Sequence, residues 1–299
     1  MTIAARGGEG SDCCWIRGQY APGRRQAVQN LPVLGKGAFR GTAWFDRNNI
    51  LPGVNSTMFN PVYGDMPVCT VYSGYGVKFP TRIKVSSAGF PTLDVSINSI
   101  KVTVAAKIAA PKGLRHGGGR LAMEKAADGV WHVRGGSHHN VAIKMKDHVI
   151  LVGGPLGDGS AKAVLREVRK TIPRKPIRTV LNTHLHFDHS GGLRAAASEG
   201  ILIATFRDNV KFFKAAYGGK DSINPDAYGT SGKRAKFITV RDKHVFTNFS
   251  RTVEMHRLVG NAHNNGLYVI YLPNEKILSV ADAYSGRGLR KTPTNKMNA

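Results

Sequence analysis

The chemistry of this chain concentrates in Thr183-His184-Leu185-His186-Phe187-Asp188-His189-Ser190-Gly191-Gly192. Three imidazoles and one carboxylate fall within a single short stretch. Imidazole nitrogen and carboxylate oxygen are the donors that zinc and similar divalent ions take. In an extended segment alternate residues point the same way, so His184 and His186 can share one ion. Asp188 and His189 lie beyond them, where the chain turns, and can face a second ion nearby. A merely polar, histidine-rich loop is the plainer account, and the regular spacing argues against it.

Residues 177–182 read as a short buried strand leading into this stretch. Ser190 reads as an N-cap and 193–199 as a helix. The candidate ligands therefore sit at the C-terminal end of a strand, where open α/β sheets place their sites. Upstream, 130–134, 141–145 and 148–152 read as strands joined by short turns. The glycine-rich loop 153–159 has no Gly-Lys-Ser/Thr ending and no Gly-x-Gly-x-x-Gly register, so it reads as a turn from strand to helix. Asp158 or Ser160 caps the helix 161–172, whose Val164, Leu165, Val168 and Ile172 share one face. Downstream, 201–204 reads as a buried strand, 208–216 as a helix and 217–233 as a long loop, in which Tyr217 or Tyr228 could line a pocket but read more simply as surface aromatics. Residues 237–240, 244–247, 252–258, 267–272 and 276–280 read as successive strands of a second sheet.

The run His184-x-His186-x-Asp188-His189 resembles the hallmark of the metallo-β-lactamase fold family. Val259-Gly260-Asn261-Ala262-His263-Asn264-Asn265-Gly266 sits where that family places its next histidine. Ile277-Leu278-Ser279-Val280-Ala281-Asp282-Ala283 is similar to its strand ending in a metal-bridging Asp. Ala127-Asp128-Gly129-Val130-Trp131-His132-Val133, followed by Asn140-Val141-Ala142-Ile143, is similar to its opening strands. The resemblance covers about Leu121 to Ser285.

It implies an α/β fold, a four-layer αβ/βα sandwich, and a binuclear zinc hydrolase. His184, His186 and His263 would hold one ion, and Asp188 and His189 a second, with Asp282 bridging. Iron and manganese are alternatives to zinc. Bound zinc lowers the pKa of its water toward ~7 and polarises a carbonyl, so the implied reaction is attack by metal-bound hydroxide on an ester, thioester or lactam of a small molecule. Asp188 would orient that hydroxide and take a proton. His263 is followed by Asn264-Asn265 rather than the Thr-Pro-Gly run of many members, which widens the range of substrates. Family members that share this motif include β-lactamases, thioesterases, lactonases, nucleases and sulfur dioxygenases. The family pattern also calls for a histidine after the bridging Asp, and none follows His263. The tail 286–299 is basic and poor in apolar residues. The expectation is a truncated or frame-shifted member whose second half is incomplete and whose second ion lacks its last His ligand, with an inactive remnant as one alternative.

The 299 residues are 41% hydrophobic, enough for a core, and no apolar run is long enough to span a membrane. Residues 1–10 lack the apolar stretch of a secretory signal. Cys13, Cys14 and Cys69 make neither a disulfide framework nor zinc-finger spacing. Residues 1–60 show no sustained periodicity and read as poorly ordered. Residues 61–110 carry amphipathic strands around 76–85 and 93–100 and read as a small β accessory segment. Residues 111–120, with a solvated His116, read as a linker, 121–285 as the main domain and 286–299 as a basic tail. The net charge of +24 predicts non-specific attraction to nucleic acid, so a metal-dependent nuclease or a basic nucleic-acid-binding protein is the other alternative. Its densest cluster, Lys162, Arg166, Arg169, Lys170, Arg174, Lys175 and Arg178, reads as the solvated face of a helix. His138 and His139 read as a polar turn. His132, His148, His244 and His256 read as surface or satisfied partners.

Overall fold

In a computed structural model of the protein, residues 26–32, 40–46, 48–76, 79–101, 121–135, 137–219 and 222–284 are described. The chain divides into two compact units. The first runs to Leu114 and takes in Gly219–Asn224, and the second holds the remainder.

The first unit is an antiparallel meander in which each strand pairs with the next. Its strands are β1 (Gln26–Pro32), β2 (Arg40–Phe45), β3 (Gly53–Asn60), β4 (Gly64–Tyr75), β5 (Pro80–Ser87) and β6 (Phe90–Ser96). Between β5 and β6, Ala88 and Gly89 both take positive φ, 51° and 85°, as the tightest hairpin turns require. The expectation of poor order over 1–60 is corrected for 26–32 and 40–60, which contain β1, β2 and β3. Along β3, Val54, Ser56 and Met58 alternate with Asn55, Thr57 and Phe59, so neither face contrasts in polarity with the other. Cross-strand pairing with β4, from Gly53↔Val71 to Asn60↔Gly64, defines this strand instead. Residues 1–25 and 33–39, the linker 111–120 with His116, and the tail 286–299 lie outside the described residues.

The second unit has a larger sheet of β7 (Ala122–Ala127), β8 (Val130–Arg134), β9 (Asn140–Lys144), β10 (Val149–Val152), β11 (Ile177–Leu181), β12 (Leu202–Phe206) and β13 (Phe237–Val240). Their spatial order is β13-β12-β11-β10-β9-β8-β7. From β10 to β13 the pairing is parallel, and from β7 to β10 it is antiparallel. Helix α1 (Asp158–Thr171) links β10 to β11. After β11 come a short turn of helix, α2 (Phe187–Ser190), and α3 (Leu193–Glu199), while α4 (Arg207–Ala216) and α5 (Ala227–Ser231) lie between β12 and β13. Parallel strands covered on both faces need apolar side chains throughout, and β10, Val-Ile-Leu-Val, is buried along its whole length.

A smaller antiparallel sheet follows: β14 (Lys243–Thr247), β15 (Thr252–Arg257), β16 (Tyr268–Leu272) and β17 (Ile277–Ser279). Leu151 and Val180 of the larger sheet line a small space with Ala161, Val164 and Leu165 of α1. Ile150, Val152 and Leu181, on the alternate side, share a core with Val253, Met255, Tyr268 and Ile270 of the smaller sheet. Each such buried side chain stabilises the fold by about 1.5–3 kcal/mol. Helices on one face of the larger sheet and a second sheet on the other are consistent with the expected αβ/βα sandwich and supply three of its layers. Among the described residues no helix follows β14 in the chain.

Several local expectations change. Residues 237–240 belong to the larger sheet, not the second, because Ile203 to Phe206 of β12 pair in parallel with Phe237 to Val240. Helix α1 starts at Asp158 behind Gly157, without a side-chain cap, and Asp158 instead pairs with Lys162 at 2.6 Å. Ser190 does not cap α3. Its hydroxyl donates back to the Leu185 and His186 carbonyls at 2.8 and 2.9 Å, and α3 starts behind Gly192. The basic cluster on and after α1 is largely paired locally: Arg169 with Glu199, Lys170 with Glu167, and Arg178 with Asp147. No helix among the described residues is long and apolar enough to cross a membrane.

Candidate metal centre

Where β11 ends, the chain must leave the sheet and turn sharply, and Asn182 holds that turn. It is fully buried. Its amide donates to the His184 carbonyl at 2.7 Å and the His189 carbonyl at 3.5 Å, and its oxygen accepts from the Thr205 hydroxyl at 2.8 Å. The motif loop is also laced to the loop after β10. Gly154 N donates to His189 O and Leu156 N to Asp188 O, each at 3.3 Å, and Gly192 N donates to Gly154 O at 2.9 Å. The approach is close enough that a Cβ on Gly191 would sit 2.1 Å from the Leu156 carbonyl oxygen. The Gly-Gly pair after the histidines is thus a packing requirement, and the loop 153–157 is a brace for the motif.

Four imidazoles and Asp282 converge above this loop. The rings of His184, His186 and His263 lie 4.5 to 5.0 Å apart, centre to centre. Nε2 of His263 is 3.2 Å from Nε2 of His184. His263 is held by Asn261, whose side-chain oxygen accepts from the backbone N–H of His263 and of Asn264 at 3.1 and 3.0 Å. Asp282, just past β17, turns Oδ2 toward His263 (2.9 Å) and His184 (3.4 Å), and Oδ1 toward His189 (3.0 Å).

The donor atoms fall into two groups. His184, His186, His263 and Asp282 form one, and His138, Asp188 and His189 the other, with the atoms of each group within 4.8 Å of one another. Asp282 is the residue that reaches both. All six residues read from the sequence as ligands, His184, His186, Asp188, His189, His263 and Asp282, lie in this cluster. His138, read as a polar turn, joins it as well, with Nε2 3.2 Å from Asp188 Oδ2. Its partner is distant in sequence, so the turn before β9 carried no local signal of this role. His139 faces His132 at 3.0 Å, and His148 and His256 pair with Asp147 and Glu254, as satisfied partners.

The donors suit a divalent cation. Burial, with the neighbouring His189, His186 and His263, pushes the His184 pKa down to about 2. Burial likewise lowers those of His186 and His189, so these rings are neutral and offer lone pairs at ordinary pH. His189 Nε2 is buried and has no in-line hydrogen-bond partner despite its proximity to Asp282. A buried polar nitrogen without a partner is costly, and a cation among these atoms would satisfy it.

Behind the motif, Arg194 of α3 is buried and its guanidinium grips Asp226 at 2.5 and 3.0 Å. The rings of Tyr217 and Tyr228 flank it, 5.5 and 5.0 Å from its centre. Tyr217 is therefore a buried residue, correcting its reading as a surface aromatic.

A family model described as the metallo-beta-lactamase superfamily matches residues 133–293, more than half of the chain. The chain belongs to this superfamily. It is 26% identical over 162 residues to the alpha subunit of 2,4-dinitroanisole O-demethylase of Nocardioides sp. (strain JS1661), covering 54% of this chain and 46% of that subunit. It is 34% identical over 76 residues to a linear primary-alkylsulfatase of Pseudomonas sp, covering 25% of this chain and 11% of that protein. The chain thus spans less than half the length of these superfamily relatives. Among solved structures, a metallo-beta-lactamase from Pontibacter korlensis aligns with a TM-score of 0.42 at 20% identity, covering 53% of this chain and 70% of that one. DIM-1 metallo-beta-lactamase aligns with a TM-score of 0.42 at 17% identity, covering 54% and 69%.

Proposed function

We propose that this superfamily member is a zinc-dependent hydrolase acting on an ester, thioester or lactam of a small molecule. The observation that carries the reading is the placement of Asp282, whose two carboxylate oxygens face His184 and His263 on one side and His189 on the other. In this reading His184, His186 and His263 hold one zinc, and Asp188 and His189 hold a second that shares Asp282. Bound there, the ions would supply a nucleophile at neutral pH and polarise the scissile carbonyl. The protein's own part is to keep the His184, His186 and His189 rings neutral by burial and to hold the ligand loops with Asn182 and Asn261. Asp188 would also offer its carboxylate, beside the nucleophile, as the acceptor for a proton.

Elemental analysis of the purified chain tests this, followed by turnover of nitrophenyl esters, acyl thioesters and a chromogenic lactam. About two zinc ions per chain, and turnover lost in His184→Ala, are expected. Absence of bound metal would overturn the reading. The names of the two curated relatives concern a methyl aryl ether and an alkyl sulfate, so 2,4-dinitroanisole and dodecyl sulfate belong in the same panel. Turnover of either in place of the carbonyl substrates would shift the proposal to carbon–oxygen or sulfate-ester cleavage.

A further inference from the structure

We infer that His138 is a metal ligand, closing the second ion position together with Asp188 and His189. This rests on the metal-dependent reading above and supplies a residue that the motif does not contain. The family pattern draws this last imidazole from beyond the bridging Asp. His138 lies in the turn that precedes β9, upstream of the whole motif.

The placement of His138 goes beyond that of a polar turn residue. Its ring packs edge-on to His189, with centroids 5.0 Å apart. Its Nε2 points at Asp188 Oδ2, 3.2 Å away, and that same oxygen is 3.8 Å from His189 Nε2. Its other nitrogen, Nδ1, lies 2.8 Å from the Ser137 hydroxyl. Ligating histidines characteristically anchor the second ring nitrogen in this way, which sets the tautomer and aims the free lone pair. With the Nδ1 proton on Ser137, Nε2 presents a lone pair to the carboxylate. Two lone-pair donors would then face each other with nothing between them unless a cation is shared. The turn itself is anchored by buried Asn140, whose amide donates to the Val152 carbonyl at 3.0 Å, so His138 is held against the motif by the sheet.

A simple hydrogen bond from His138 to Asp188 is the competing account. It would require the ring proton on Nε2 and leave Nδ1 to accept from the Ser137 hydroxyl. One cation among the three donors satisfies all of them.

The test is zinc titration by calorimetry of the metal-free full chain, for the wild type, His138→Ala, His138→Gln and His184→Ala. The wild type should take up about two ions. His138→Ala and His138→Gln should keep one tight ion and bind the other at least about tenfold more weakly, with unchanged circular dichroism. His184→Ala should instead weaken the first ion. A second readout needs no variant: cobalt-loaded wild type should show five hyperfine-shifted imidazole N–H resonances, from His138, His184, His186, His189 and His263. Four such resonances, or two equally tight zinc ions in both His138 variants, would overturn the role of His138 and leave the hydrolase reading standing. A wild type that binds no zinc would overturn both.

Discussion

Asn182 carries no charge, would ligate nothing, and yet the motif depends on it. Its fully buried side chain makes its hydrogen bonds to the His184 carbonyl and to Thr205. Truncating such a group strands its former partners at a cost of about 1–3 kcal/mol. Asn182→Ala should therefore lower the unfolding free energy of the metal-free protein by that amount, read by chemical denaturation, and should also weaken zinc binding, because the loop that aims His184 and His189 is released. Loss of stability with unchanged zinc affinity would confine Asn182 to the fold. At this scale the sequence was most informative where chemistry and spacing coincide. His184, His186, Asp188 and His189 are near neighbours, so their convergence is a local property of a strand and a turn. The part played by His138 was not legible, because it arises only when the turn before β9 closes over the motif. Asn182 was missed for a related reason: a polar residue ending a buried strand looks the same whether it meets solvent or organises a loop.

The motif loop is a set of imidazoles kept neutral by burial, and that has a pH signature. The His184 pKa lies at about 2, below its ordinary 6.5, because burial disfavours the cation and the neighbouring histidines add to this. The unfolded chain takes up the proton first as pH falls. Stability is thus fully present above about 6.5 and declines as pH drops below it toward 2. The metal-free protein should melt progressively lower between pH 7 and pH 5, and His184→Asn should flatten that slope. Equal slopes would place the acid sensitivity elsewhere. The segment behind the loop makes a different claim. Arg194 on α3 and Asp226 before α5 form a buried, two-pronged pair. Asp226→Ala leaves that guanidinium buried without its carboxylate, for which a loss of about 3–5 kcal/mol is expected on unfolding, readable by chemical denaturation. Among the elements, those with strong apolar periodicity were legible: α1, β10, β11 and the strands from β14 to β17. The strands β2 and β3 were not, since their faces barely differ in polarity. The sheet membership of β13 was not legible either. A short apolar strand after a long loop does not carry the identity of its neighbour, which here is set by parallel pairing with β12.

Over the whole molecule, the net charge of +24 is the property that the site does not explain. Charge of one sign attracts polyanions by releasing their counterions, and this attraction falls steeply with salt. Binding to a short DNA duplex should be measurable at low ionic strength and should weaken by orders of magnitude toward 200 mM salt, equally for unrelated sequences. Cleavage of that DNA, lost in His184→Ala, would favour a nuclease over a small-molecule hydrolase.

Asp282 lies just past β17, a strand of three residues at the edge of the smaller sheet, and His263 comes from the loop that leads into β16 of that sheet. His184, His186 and His189 follow β11 of the larger sheet. Ions held by these residues would rivet two sheets that otherwise meet through apolar packing and a few hydrogen bonds, such as that from Tyr268 N to the Thr183 carbonyl. Metal occupancy and folding would then be one equilibrium: each tenfold rise in free zinc above its dissociation constant would add about 1.4 kcal/mol to the resistance of this unit to unfolding. A chelator would act on it as a denaturant does, loosening first the short edge strand that carries Asp282.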